Sequence, residues 1–154
     1  MKKKSKKLPR IAEVELIYNN HVPTAEKIHI VNSKDSYEIF KAHWNFDTIE
    51  LYEEFQILVL NRTNQVLAIS KVTTGGTAGT VVDAKMIFMT ALLCNSAGIV
   101  IAHNHPSGNL TPSNADFELT QKLKDGAKLL DLSILDSIII SKDGYYSFKD
   151  RGQL

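Results

Sequence analysis

The chain has 154 residues, of which 44% are hydrophobic and 23% are charged. This length suits one domain, and the composition is ordinary for a soluble globular protein. A domain of this size buries about two thirds of its unfolded surface, so we expect it to fold without disulfides or a structural metal. The single cysteine, Cys94, excludes an intramolecular disulfide and every metal site built on a cysteine cluster.

The net charge of +1 hides an uneven distribution. Residues 1–10 carry six basic residues and no acidic one, whereas the other 144 carry 12 basic and 17 acidic residues. We expect a disordered basic tail, with weak nucleic-acid contact through residues 2–10 as the alternative. No apolar run reaches the ~18 residues of a membrane span, so we expect no membrane contact and a cytoplasmic protein. The pattern indicates no particular oligomeric state.

In chain order, the pattern first predicts a half-buried strand in AEVELIY and then a polar loop over residues 19–32. Ser33 is predicted to cap a helix that ends near Asn45. FQILVL and QVLAISKV are predicted to pair as a hairpin through the turn NRTN. TTGGTAGT is predicted to be a loop beside the active site, because it lacks the lysine of a phosphate-binding loop.

The second half of the chain alternates helices with apolar strands. Asp83 is predicted to cap a helix through AKMIFMTALLCNSA, which we expect to be buried and to end at Gly98. GIVIAH is typical of a strand inside a covered sheet, and the loop HNHPSGNLTPS and a helix from Ser113 to Leu130 follow it. LSILDSIIIS is predicted to turn back into YYSF. The alternation predicts one α/β (α+β) domain over residues 11–154, a mixed β-sheet flanked by helices.

His103 and His105 stand two residues apart at the end of the GIVIAH strand. Side chains two apart on a strand point to the same face, with their Cα atoms about 6.5–7 Å apart. Two ring nitrogens so placed can reach one ion at the ~2.0–2.1 Å that zinc prefers. A pair of histidines alone is a weak signal, and His21, His29 and His43 lack metal-site spacing.

Asp116 is the candidate third ligand, at the start of the third predicted helix. At about 100° per residue, the apolar side chains of Leu119, Leu123, Ala127 and Leu130 fall within about 60° of Asp116, so its carboxylate faces inward. An inward carboxylate needs a counter-charge, which a metal held by the histidines supplies. The alternative is a capping box, in which Ser113 caps the helix and Asp116 reaches back to it. That alternative leaves the two histidines unexplained.

These residues carry a resemblance to a known family. His103-Asn104-His105-Pro106, six further residues and then Ser113-Asn114-Ala115-Asp116 are similar to the core motif of the JAMM (MPN) zinc metalloproteases. The string AHNHPSGNLTPSNAD and the closing GYYSFKDRGQL resemble the RadC-like branch, and the similarity spans about residues 50–154. The resemblance implies a JAMM/MPN-like fold, similar to that of cytidine deaminase. It also implies one zinc ion per chain, held by the two histidines and the aspartate.

The resemblance further implies a glutamate that activates water and stands just before a core strand. Glu53 and Glu54 are both candidates. Strand parity places Glu53 with Phe55, on the face without Gln56, which we expect to be the drier one and so the better site for a base. We favour Glu53, with Glu54 as the alternative. Ser113 is the candidate donor to the oxyanion, besides its role as a cap.

The predicted function is zinc-dependent hydrolysis of peptide or isopeptide bonds, with a peptide or protein as the substrate. The alternative is a DNA-repair-associated role, because RadC-like proteins have carried that label. Residues 1–50 do not show the helix-hairpin-helix segment usual in such proteins, and the acidic body argues against direct DNA binding. Asp136, within an apolar predicted strand, is a candidate partner for a ligating histidine.

Overall fold

The computed structural model describes residues 12, 15, 17, 21–75 and 81–154. The predicted basic tail lies wholly outside the described residues. Most of the predicted strand AEVELIY and the last five residues of the TTGGTAGT segment, 76–80, lie outside them as well. Among the helices that the structure describes, none has the length and apolar character to span a bilayer.

Three α-helices and five strands form the described part of the chain. The helices are α1 (Ser33–His43), α2 (Ala84–Leu93) and α3 (Asn114–Lys128). The strands are β1 (Glu54–Leu60), β2 (Val66–Thr74), β3 (Gly98–Asn104), β4 (Ser133–Ile140) and β5 (Tyr145–Ser147). A 3-10 helix, Thr24–Glu26, precedes α1. The predicted hairpin, the fully buried strand β3 and the final strand pair are confirmed.

The five strands form one sheet in the order β2-β1-β3-β4-β5. The β3–β4 pair is parallel and the other three pairs are antiparallel, so the sheet is mixed, as predicted. The connection between the parallel strands runs through α3, because such strands cannot be joined by a tight turn. Helix α3 therefore starts near the carboxyl end of β3, where His103 and His105 lie.

The two faces of the sheet are covered by different helices. Helix α1 packs on one face, where Phe40 contacts a cluster that includes Leu58 and Val100. Helices α2 and α3 pack on the other face, where Ile87 and Leu123 join a cluster with Phe55 and neighbouring strand residues. Alternation along β1 and β3 supplies both clusters, because successive side chains point to opposite faces. The predicted arrangement of a mixed sheet flanked by helices is confirmed.

The start of α1 differs by one residue from the prediction. Asn32, not Ser33, is the N-cap: its side chain accepts from the backbone N–H of Asp35, and the Asp35 carboxylate accepts from the N–H of Asn32. Ser33 is the first helical residue, and its hydroxyl contacts Tyr145 and Asp150 instead. Asn and Ser are about equally good caps, so sequence alone does not separate two adjacent candidates.

The expectation that α2 is a buried helix is wrong. Asp83 caps it as predicted, and Ile87 and Ala91 are fully buried. However, four of its apolar side chains are 42–57% exposed: Met86, Met89, Leu92 and Leu93. Helix α2 packs against the β1–β2 side of the sheet with one face, and no other described element covers its outer face.

The predicted end of α2 at Gly98 is also wrong. The helix ends at Leu93 with Cys94 as its C-cap, and Asn95 takes the left-handed conformation (φ 49°) that Asn tolerates after a helix. Gly98 instead opens β3, where a Cβ atom would lie 2.5 Å from Leu135 Cδ1. Glycine here permits close packing of a strand.

Leu123 anchors α3, and with it Asp116, to the sheet. Its side chain is fully buried, so we expect Leu123→Ala to lower the free energy of unfolding by about 2–5 kcal/mol. Leu129→Ala is the matched control, because Leu129 at the end of the same helix is 88% exposed. Denaturant unfolding measures both. Equal losses in the two variants would contradict this account of how α3 is held.

Candidate metal centre

Two imidazoles meet at the carboxyl end of β3. His103 is the penultimate residue of the strand, and His105 follows in the loop. Their Nε2 atoms lie 3.1 Å apart, although the rings are inclined at 58° to each other. The side chain of His103 is 4% exposed and that of His105 is 18% exposed. The Nε2 atoms of the two histidines therefore converge on the same position at the edge of the sheet.

The carboxylate of Asp116 completes this cluster from the first turn of α3. Its Oδ1 lies 3.0 Å from His103 Nε2, and its Oδ2 lies 3.3 Å from His105 Nε2. The capping box considered from the sequence is present too: Ser113 accepts from Asp116 N, and the Asp116 side chain accepts from Ser113 N. Asp116 therefore closes the helix start and meets the histidines at the same time. The two interpretations do not exclude each other.

The donor set and its spacing fit one metal ion. The three ligand atoms lie within 4.8 Å of one another. Zinc bonds of about 2.0–2.1 Å at tetrahedral angles place ligand atoms about 3.3 Å apart. The Nε2–Nε2 distance of 3.1 Å is close to that value, as are the distances of 3.0 and 3.3 Å from the two Asp116 oxygens to His103 and His105. Two imidazole nitrogens and a carboxylate oxygen could thus hold a metal ion and leave a fourth position without a protein ligand from this cluster.

The charges within the cluster stabilise each other. Burial alone would raise the pKa of Asp116, but hydrogen bonds from His103 and His105 outweigh burial and hold that pKa well below its usual range. The hydrogen bond to Asp116 raises the pKa of His105, and burial opposes this shift. The carboxylate is therefore ionised at neutral pH and attracts positive charge, whether protons or a cation, to the point where the ring nitrogens meet.

Two contacts that sequence reasoning missed orient the imidazoles. His105 Nδ1 donates to the backbone carbonyl of Asn109 at 2.6 Å, and since a carbonyl only accepts, the hydrogen sits on Nδ1. Nε2 of His105 is then free to bind an ion. The ring of Phe55 stacks on that of His103, with centroids 6.2 Å apart and planes inclined at 10°. The contact between Phe55 and His103 follows from the register of β1 and β3, which places these two residues opposite each other.

Glu53 lies beside the cluster, just before β1. Together with His103, His105 and Asp116 it borders a cavity of about 540 Å³. Burial raises the pKa of Glu53 above 4.5, although the nearby histidines pull it down. A half-buried carboxyl with a raised pKa in a cavity beside a cluster of histidines is a candidate for acid–base chemistry.

Glu54 lies away from this cavity. Its carboxylate is 2.7 Å from Lys71 Nζ and also accepts from Gln56 Nε2 at 3.5 Å. The expectation that Gln56 marks the wetter face is wrong, because Glu54 and Gln56 are only 1% and 2% exposed. Glu54 shares its face of β1 with Leu58 and Leu60, which belong to the apolar cluster on the α1 side of the sheet. What distinguishes Glu53 is its contact with the cavity, which the pattern of polar and apolar residues does not reveal.

Ser113 also borders the cavity. Its Oγ donates to Asp116 Oδ2 at 2.8 Å and accepts from Asp116 N at 3.2 Å. Its backbone N–H donates to the same carboxylate oxygen at 2.7 Å. In this arrangement Ser113 orients the Asp116 carboxylate, and donation to an oxyanion requires its hydroxyl to turn away from Oδ2.

The suggestion that Asp136 supports a ligating histidine is wrong. Its carboxylate accepts from Ser147 Oγ, from the backbone N–H of Ser137 and from that of Lys149. The bonds from Ser147 and Lys149 join β4 to β5 and to the segment after it, and the bond from Ser137 lies within β4. His43, which lacked metal spacing, bonds the carbonyl of Ile39 in its own helix.

Comparison with known proteins agrees with this architecture. Residues 30–153 match the RadC-like JAB domain, and the chain belongs to that family.

Several curated relatives, each named UPF0758 protein, are similar to this chain. One from Flavobacterium johnsoniae is 42% identical over 124 residues, which is 80% of this chain and 52% of the relative. One from Porphyromonas gingivalis is 33% identical over 94% of this chain and 63% of the relative. One from Methanosarcina acetivorans is 43% identical over 65% of this chain and 44% of the relative. The chain spans about half the length of the relatives it matches.

If the cluster binds a metal, each ligand should be necessary. We expect purified protein to carry about one ion per chain, and His103→Ala or Asp116→Ala to weaken binding by at least about 100-fold, because each removes a direct ligand. Elemental analysis after dialysis measures this. His43→Ala on α1 is the control and should keep its metal. Equal metal content in all four proteins would contradict the assignment.

Metal binding should depend on pH. Only a neutral imidazole offers Nε2 to an ion, and the pKa of His105 is raised above 6.5, chiefly by Asp116. Protons therefore compete with the metal at a higher pH than at an ordinary histidine, and affinity should fall as the pH is lowered from about 8 to about 6. Titration against a chelator at each pH measures it. An affinity that is constant over this range would contradict the prediction.

Proposed function

We propose that this chain is a zinc-dependent hydrolase of peptide or isopeptide bonds, with Glu53 as its general base. The observation that carries the proposal is that the three candidate ligands and Glu53 all open onto one cavity of about 540 Å³. The nitrogen and oxygen donor set, without a thiolate, suits zinc, and a fourth position not filled by this cluster is typical of catalytic zinc sites. Membership of the JAB superfamily, which includes metalloproteases, supports the same chemistry.

The chain's own residues would divide the work as follows. Zinc, when bound, supplies Lewis acidity: it lowers the pKa of water to around 7 and polarises a carbonyl. Glu53 takes the proton from the attacking water and passes it to the nitrogen of the leaving amine. Its raised pKa suits both steps, because a stronger base accepts the proton more readily and the protonated carboxyl then donates it. Ser113 holds the Asp116 carboxylate in place.

The lining of the cavity favours an amide over a phosphodiester. None of the described residues that border it is lysine or arginine, the side chains that usually bind phosphate. The hydroxyls of Ser107 and Thr111 border the same space and can hydrogen-bond to the backbone of an extended peptide. We therefore propose a peptide or protein substrate. No observation on the described residues favours the DNA-associated alternative.

To test the proposal, zinc content and peptide cleavage are measured separately in the same variants. Zinc-loaded protein is incubated with a mixture of peptides whose termini are blocked, and new termini are detected by mass spectrometry. We expect Glu53→Gln to keep its zinc, because Glu53 is outside the ligand cluster, and to lower product formation by at least about 100-fold, because the base is lost.

Two glutamate variants serve as controls. Glu50→Gln changes an exposed residue that pairs with Lys142 and should leave turnover unchanged. Glu54→Gln breaks the buried pair with Lys71 and should lower the free energy of unfolding, with turnover per zinc ion retained. Full turnover in Glu53→Gln would show that Glu53 is not the base. Absence of cleavage by the zinc-loaded wild type would argue against the proposed function itself.

A further inference from the structure

Asn104 stands between the two histidines, yet its side chain lies on the opposite face of the sheet. It is the last residue of β3 and is fully buried. Alternation along the strand turns it away from the cavity, toward the α1 side where Ile49 and Ala102 belong to the apolar cluster. A buried amide must have its donors and acceptor satisfied, because each unpaired group costs about 1–3 kcal/mol.

Three hydrogen bonds satisfy this amide, all with one short segment of backbone. Asn104 Oδ1 accepts from the N–H of Glu54 at 2.8 Å. Asn104 Nδ2 donates to the carbonyls of Ile49 at 2.6 Å and Tyr52 at 3.0 Å. Both hydrogens of the amide nitrogen and one lone pair of the oxygen are thus used, which suits asparagine and no smaller side chain.

These bonds bracket Glu53. The Tyr52 carbonyl belongs to the peptide unit before Glu53, and the Glu54 N–H belongs to the peptide unit after it. Glu53 itself precedes β1 and follows turns that span residues 46–51. Its carbonyl accepts from Gly75 N at 2.7 Å, which ties the same segment to the end of β2. The side chain of Asn104 therefore holds both peptide units on which the orientation of Glu53 depends.

We propose that Asn104 is a positioning residue that holds Glu53 in register with the metal ligands. The inference rests on the proposed function of Glu53 as the base. Residues 103–105 would then supply two metal ligands, His103 and His105, on one face of the sheet. On the opposite face, Asn104 would fix the backbone on either side of Glu53. Catalytic groups must be held within about 0.5 Å of their working geometry, and a displacement of about 1 Å can lower a rate by about 100-fold.

The test uses zinc-loaded full chain and the variant Asn104→Asp. This change keeps the size of the side chain and one acceptor, but removes both N–H donors to Ile49 and Tyr52. Asn61→Asp is the matched control: Asn61 follows the far end of β1 and its Oδ1 accepts from the N–H groups of Thr63 and Gln65. Asn104→Ser, a neutral variant with one donor, is assayed in the same way and decides the matter if Asn104→Asp does not fold.

Three measurements are compared. We expect zinc content to match the wild type, because His103, His105 and Asp116 are intact. We expect kcat to fall by about 100-fold with little change in KM, because the base is misplaced and the substrate surface is not. We expect faster hydrogen exchange in the peptide that covers residues 45–55, and no such change in Asn61→Asp.

A double-mutant cycle separates positioning from a general loss of structure. If Asn104 acts through Glu53, Asn104→Asp should lower the residual rate of Glu53→Gln no further. An additive loss, or unchanged kcat per zinc ion, or unchanged exchange in residues 45–55, would overturn the inference. If the wild type cleaves no peptide, the proposed function fails, and the exchange experiment still decides whether Asn104 holds this segment.

Discussion

The contact of the partly buried Asp116 carboxylate with two imidazoles is the interaction on which the candidate site depends. The carboxylate oxygens lie 3.0 and 3.3 Å from the two Nε2 atoms, and the Asp116 side chain is only 12% exposed. Partial burial weakens the solvation of an ionised carboxylate, and the two imidazoles and the donors of Ser113 compensate for that loss. The fold supplies that arrangement by the parallel β3–β4 connection, which returns through α3 and brings the first turn of this helix to the end of β3.

The antiparallel pairing of β1 with β3 brings Glu53 to the same cavity as the candidate ligands. Phe55 pairs with His103, so the residues just before β1 necessarily lie beside the histidines. Which of them faces the cavity then depends on backbone outside the ladder, where Asn104 makes its three hydrogen bonds. The two faces of β3 thus contribute differently to the site. One face carries His103, a candidate ligand, and the other carries Asn104, which binds the segment that includes Glu53. This is how two adjacent glutamates acquire different environments.

Helix α2 illustrates the limit of inference from composition. Its sequence is apolar nearly all round, which usually indicates a helix enclosed on every side. Whether a helix is enclosed depends on how many elements pack around it, and α2 contacts the sheet with only the face that includes Ile87 and Ala91. The start of α1 makes a similar point, because Asn32 and Ser33 are both good caps and it is Ser33 that contacts the distant Tyr145 and Asp150.

The amino-acid sequence by itself determined the class of fold, the main strands and helices, and the family, because hydrophobic periodicity and the spacing from His103 to Asp116 are local properties of the chain. It also pointed to the capping box of Ser113 and Asp116. Only the tertiary structure decided that Glu53 borders the cavity whereas Glu54 pairs with Lys71, that Asp136 joins β4 to β5, and that α2 is half exposed. Those outcomes depend on contacts between residues far apart in the chain, and no local pattern encodes which distant atoms a side chain will meet.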